Sequence, residues 1–291
     1  MQFVAEPVLQ ARAVLGEGAI WDSERQVLYW VDIDKFLVHT FDPASKEDSF
    51  IALDTHVGTV VKRSSKKGGG FVVGLGNQFA QVDDKGNAIA LAEVEKGLGN
   101  RLNDGKCDPR GRFWCGSMNF KFLPGAGNLW MLDTDHKVHH KLGHVTCSNG
   151  LVWTGDGRLM YYIDTFTGRL DVFDYDIDTG AIENRRAAVE NTWGGHFDGM
   201  TIDADDNVYI ATWAGGAVLK IDPRSGELLA KIVVPGVMNV TSCAFGGAKL
   251  NDLYITSSAN GADLKDEPNA GALFKITLTD AVGLPAFEFQ G

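Results

Sequence analysis

The sequence predicts an all-β protein: one six-bladed β-propeller with four antiparallel strands per blade, filling residues 1–291 as a single domain. Two observations carry this expectation. A strand signature recurs six times at intervals of roughly 42–48 residues, the period of a propeller blade. Apolar spacing at three and four residues is nowhere sustained for the several turns that a long helix needs.

The signature is a turn rich in Gly, Asp and Asn, followed by alternating aromatic and β-branched residues. In chain order it reads "VLYWVD" from Val27, "GFVVGL" from Gly70, "RFWCGS" from Arg112, "LMYYID" from Leu159, "NVYIAT" from Asn207 and "DLYITS" from Asp252. A second strand and a turn then follow, as in "LVHTFDPASK", "RLDVFDYDIDTG" and "AVLKIDPRSG". "KRSSKK" beside "GGG" suits a solvated hairpin tip, and "AEVEKGLGNRL" allows one short helical turn at most. The spare strand in "FVAEPVLQ" is expected to complete the last blade beside "ALFKITL", which hides two sheet edges at once.

Composition narrows the function classes. Apolar residues make up 44% and aromatics 10%, enough for a substantial core. The net charge of -11 has no basic stripe to offset it, so nucleic acid and anionic membrane are not expected as partners. No apolar run approaches the roughly 20 residues of a membrane helix, and the first residues lack a leader's apolar segment. Cys107, Cys115, Cys147 and Cys243 are scattered without a CxxC pair and read as reduced and structural. The expectation is a cytoplasmic monomer.

A polar residue before Gly recurs nine or ten positions ahead of four signature strands: Glu17 in "GEGAIW", Asn103 in "LNDG", Asn149 in "CSNGLVW" and Asp198 in "HFDGMTID". The strand before each signature is the innermost of its blade, so equivalent positions converge on the central channel. Blades two and six offer Val60 or Val61 and Ser242 or Cys243 at that offset. Asn-Gly and Asp-Gly are common turn dipeptides, and one alone reads as a turn. Four at one phase of a repeat form a one-sided oxygen set, suited to one divalent cation (Ca, Zn, Mn or Mg) with positions left for water or substrate.

"LGEGAIWDSERQVLYWVDI", "NRLNDGKCDPRGRFWCGSM", "SNGLVWTGDGRLMYYIDT", "FDGMTIDADDNVYIATW" and "VTSCAFGGAKLNDLYITS" together resemble the regucalcin/gluconolactonase (senescence marker protein) family of six-bladed sugar lactonases. The resemblance implies Glu17, Asn149 and Asp198 as metal ligands, with Arg101 and Asn103 on the substrate. It implies metal-dependent hydrolysis of a sugar (aldono-) lactone. Asp198 is the first choice of general base and Asp104, next to Asn103, the second. His196, two residues before Asp198, is a candidate rim contact with substrate. The family's usual proline is missing twice, with Ala19 after "GEG" and Phe197 before "DG". "GSMNFKFLPGAGNLW" lacks the acidic residues many relatives carry there, which bears on substrate choice. His136, His139, His140 and His144 read as an exposed outer edge rather than a zinc site. The alternatives are a phosphotriester or aryl-ester hydrolase on the same metal, and a non-catalytic calcium-binding propeller.

Overall fold

The computed structural model describes all 291 residues, Met1–Gly291. Six antiparallel sheets stand around one axis, each following the chain from its innermost strand outward. The innermost strands are Gly16–Asp22, Val57–Lys62, Asn100–Cys107, Ser148–Trp153, His196–Ile202 and Val240–Gly246. Each packs against the innermost strands of the blades on either side, and the first meets the last. Helix is confined to two single turns, Ser65–Lys67 and Thr165–Thr167. No helix is long and apolar enough to cross a membrane.

The signature strands form the second layer, and their aromatic residues wedge neighbouring blades apart. Tyr29 meets Phe71 edge-on at 4.8 Å, and Trp114 meets Trp153 at 5.8 Å. Tyr209 meets Phe245 at 4.9 Å, while Trp21 stacks on Tyr254 at 5.4 Å across the ring closure. Such pairs contribute roughly 0.5–1.5 kcal/mol each beyond the apolar area they bury. All four cysteines are buried thiols within this packing.

The ring closes as the sequence predicts: Glu6–Leu9 becomes the outermost strand of the sixth blade, with Pro7 opposite Phe274. One blade departs from four strands. Gln2–Val4 adds in parallel to the outer edge of the fifth, Gln2 opposite Lys231, making a five-stranded sheet. The three residues ahead of the closing strand thereby cover an edge that would otherwise stay open.

At the end of the channel where the innermost strands turn outward, the C-terminal segment crosses from blade to blade. Val282 accepts from Ala204, Gly283 donates to Leu250, Phe289 donates to Lys62 and Gln290 donates to Gly111. Beneath it the channel narrows to a void of about 70 Å³ among Trp21, Trp153 and Phe245, covered by residues 284–287.

Candidate active site

Each innermost strand loses register with its neighbour near the open end of the channel. The breaks fall between Glu17 and Ile20, Val57 and Thr59, Leu102 and Gly105, Ser148 and Leu151, Phe197 and Met200, and Val240 and Ser242. Such bulges leave residues out of the ladder and re-aim their side chains. Asn103, Asn149 and Asp198 lie in these unpaired stretches, and Glu17 is the last paired residue before its own. Blades two and six carry Gly58 and Thr241 there, not Val60, Val61, Ser242 or Cys243. In those two blades the bulge sits one or two ladder pairs farther from the hairpin, so a fixed count back from the signature strand falls short of it.

The glycine after each polar residue answers to crowding. A β-carbon at Gly150 would sit 2.8 Å from the Met200 nitrogen and 2.9 Å from the Asp198 carbonyl oxygen. The backbone carrying Asn149 therefore touches the backbone carrying Asp198, and only glycine permits that approach.

Glu17, Arg101, Asn103, Asn149 and Asp198 share the wall of one cavity of about 450 Å³. All five are buried, and they form its floor. His196 is exposed and stands on the rim of the same cavity. Asp104 does not reach the wall. It is 2% exposed; Oδ1 accepts from the Gly105 amide at 2.7 Å, and Oδ2 is buried with no hydrogen-bond partner.

A chain of hydrogen bonds orients the floor. Arg101 Nη1 donates to Asn103 Oδ1 at 2.5 Å and to the Leu102 carbonyl at 3.1 Å. Asn103 Nδ2 donates to the Ser148 carbonyl at 2.7 Å and to Asn149 Oδ1 at 3.3 Å. Asn149 Nδ2 lies 2.7 Å from Thr165 Oγ1, which gives its only proton to the Phe197 carbonyl at 2.9 Å. Thr165 can then only accept from Asn149, so the amide nitrogen faces Thr165 and the carbonyl oxygen is left for the channel.

Electrostatics point to the same place. Burial, followed by the nearby Asp104 carboxylate, pushes the Glu17 carboxyl up to about 8. Burial and then Glu17 push Asp198 well above the ordinary carboxylate range. Burial lowers the Arg101 guanidinium, which remains the positive charge among them. Buried carboxylates this close, with Glu17 raising Asp198 and Asp104 raising Glu17, need a cation to be ionised together. With the Asn149 oxygen beside them, which accepts from Asn103 and keeps a second lone pair, the set fits a hard or borderline divalent ion. Nowhere does the chain gather three or more His, Cys, Asp or Glu in metal-binding geometry, and the amide oxygen is what completes this group.

The outer histidines are exposed as expected, on or beside the strand Val138–Val145. His140 meets Asn128 at 2.9 Å and His139 lies 3.8 Å from Asp133. The two lost prolines leave the floor intact. Ala19 is buried, and the fully buried Phe197 ring stacks on Trp193 at 6.4 Å. Sequence reasoning misses Thr165, Met118, Cys147, Phe122, Phe166 and Trp213, all on the same wall. Only "DTFTG", a polar turn directly after a signature strand, hints at the first.

Residues 15–259 match the sequence model of the family described as SMP-30/Gluconolactonase/LRE-like region. Regucalcin of Danio rerio is 38% identical over 293 residues, covering 98% of each chain. A luciferin-regenerating enzyme of known structure superposes with a TM-score of 0.92 at 32% identity, over 99% of both chains. Regucalcin from Agrobacterium tumefaciens, described as a calcium-binding protein, also gives 0.92, at 26% identity over 99% of this chain and 98% of its own. With the match running from end to end and the floor of the cavity built on its motifs, this chain belongs to the SMP-30/gluconolactonase/LRE-like family.

Proposed function

We propose that the protein hydrolyses a lactone of the sugar (aldono-) class, using one divalent cation held by Glu17, Asn149 and Asp198. The observation that carries this reading is the floor itself. Two buried carboxylates and an outward-facing amide oxygen lie beside a guanidinium, in a cavity of about 450 Å³. When bound, a divalent cation polarises the ester carbonyl and makes water a better nucleophile.

The chain's own groups do the rest. Asp198, on the wall, accepts the proton of the attacking water as the new C–O bond forms. The ring C–O bond then breaks, and the proton passes to the leaving oxygen, giving a hydroxy acid. Asp104 is less suited to this role, since its carboxylate lies behind the wall. Arg101 has spent only Nη1 on the protein, so the rest of its planar fork can hold ring hydroxyls or the developing carboxylate. Asn103 fixes Arg101 on one side and Asn149 on the other.

The test is a pH-stat screen of five- and six-membered aldonolactones, with chelator and then with Ca, Mg, Mn or Zn restored. Acid release that stops with chelator and returns with one cation is the expected result. Cation binding without turnover of any lactone would favour the calcium-binding alternative.

A further inference from the structure

The mouth of the cavity differs in chemistry from its floor. Phe122 and Phe166 are 50% and 61% exposed, yet both line the cavity that Glu17 and Asp198 line below. Their rings lie 5.8 Å apart, tilted by 49°. They come from different blades: Phe122 from the loop after the strand Phe113–Asn119, and Phe166 from the single turn Thr165–Thr167. Trp213, at the end of the strand Val208–Trp213 in the next blade, joins the same wall half-buried.

This grouping is not an accident of a greasy surface. Phe50 and Ile89, similarly exposed, sit on outermost strands away from the channel, while Phe120 and Leu123 are exposed beside Phe122 in the same loop but off the cavity wall. Phe122 also adopts a φ of 52°, a left-handed conformation that a bulky residue rarely takes. The loop holds the ring over the mouth at a local conformational cost. The charged groups on the cavity wall are Glu17, Arg101 and Asp198 on the floor, and the rim contributes only His196 as a titratable group. A cavity of about 450 Å³ falls within the range that encloses drug-sized ligands, larger than a bare lactone ring requires.

Resting on the reading of the site as a lactonase, but not on the sugar class of its substrate, we propose that the ester taken by this site carries an apolar substituent, alkyl or aryl. The ring ester sits on the floor with Arg101 and Asn149. Its apolar arm lies against the paired Phe122 and Phe166 rings and reaches toward Trp213. The arm removes ring faces from water that otherwise stay wetted, and this burial favours arm-bearing over bare lactones.

The experiment compares kcat/KM for δ-valerolactone with the same ring bearing a hexyl or phenyl group, in the cation-loaded protein. The arm-bearing lactone is expected to be favoured about tenfold or more, in line with the discrimination apolar pockets achieve. The doubly substituted Phe122→Gly, Phe166→Ala protein should lose that preference. Glycine accepts the backbone conformation at position 122, so folding is not compromised there. Phe50→Ala, equally exposed but on an outer strand, should keep it. Calorimetry with the corresponding lactams, which resist hydrolysis, gives a second readout: the phenyl lactam should bind about tenfold tighter than the bare one. Equal rates for bare and arm-bearing lactones, or equal or absent binding of the two lactams, overturns the apolar subsite. Preferential lactam binding without turnover of any lactone sinks the lactonase reading and leaves the subsite standing.

Discussion

Arg101 donates from Nη1 to the side-chain oxygen of Asn103 at 2.5 Å, and both residues are buried on the floor of the channel. Through this contact a guanidinium on the cavity wall is tied to the amide that steadies Asn149. Lysine offers three donors from a single point and cannot serve Asn103, the Leu102 carbonyl and a ligand with one planar fork. Arg101→Lys is therefore expected to lower kcat/KM by about 10- to 150-fold, the equivalent of about 1.5–3 kcal/mol for a charge-assisted contact. Cation affinity, measured by calorimetry, should stay close to wild type. Parity with wild type on every lactone tried would remove Arg101 from the substrate.

Glu17 and Asp198 divide from Asp104 by position. Replacing either of the first two with Ala should abolish cation binding and turnover together, because a ligand charge is lost. Asp104→Asn should retain much of the rate, since its carboxylate lies off the cavity wall. A collapse in rate with the cation still bound would instead make Asp104 the base.

The elevated Glu17 carboxyl gives a pH signature. Its folded-state value of about 8 lies above the ordinary 4.5, so the folded protein without cation binds this proton more tightly than the unfolded chain. That contribution to stability is complete below about 4.5 and disappears as pH rises through about 8. The chelated protein should lose Tm across this window, and Glu17→Gln should flatten the loss. Calcium affinity should rise over the same interval, because proton and cation compete for one carboxylate. A chelated protein whose Tm climbs between pH 5 and about 8.5, with Glu17→Gln climbing equally, contradicts the assignment.

Thr165 has a role that no spacing announces. Thr165→Val removes the acceptor that turns the Asn149 amide, and groups of this kind typically change metal affinity by about 10- to 100-fold. Thr165→Ser keeps the hydroxyl and should restore binding. Equal cation affinity in all three proteins would show that Asn149 needs no such support.

Much of this molecule is legible because its signals are local. Gly- and Asp-rich turns and two-residue alternation repeat with each blade, and their phase gathers Glu17, Asn103, Asn149 and Asp198 before any coordinate is known. What escapes reading is non-local or sub-register. The bulge in the third blade leaves both Asn103 and Asp104 out of the ladder, and only Asn103 reaches the cavity. Counting places valines in the second blade where the chain has Gly58, tight against the Leu102 and Asn103 carbonyls. Thr165, Phe122 and Trp213 line one cavity from three blades, a proximity that only the closed ring creates.

Six blades around an axis make a tube, yet residues 284–287 turn this one into a cup. Whatever enters past Phe122 and Phe166 must leave by the same door, so arrival and departure share one queue. On the proposed lactonase reading, an acid product that lingers at Arg101 would block the next ester directly. The hydrolysis product should accordingly inhibit in competition with substrate, and traffic through the opening bounds how fast the floor can be used again.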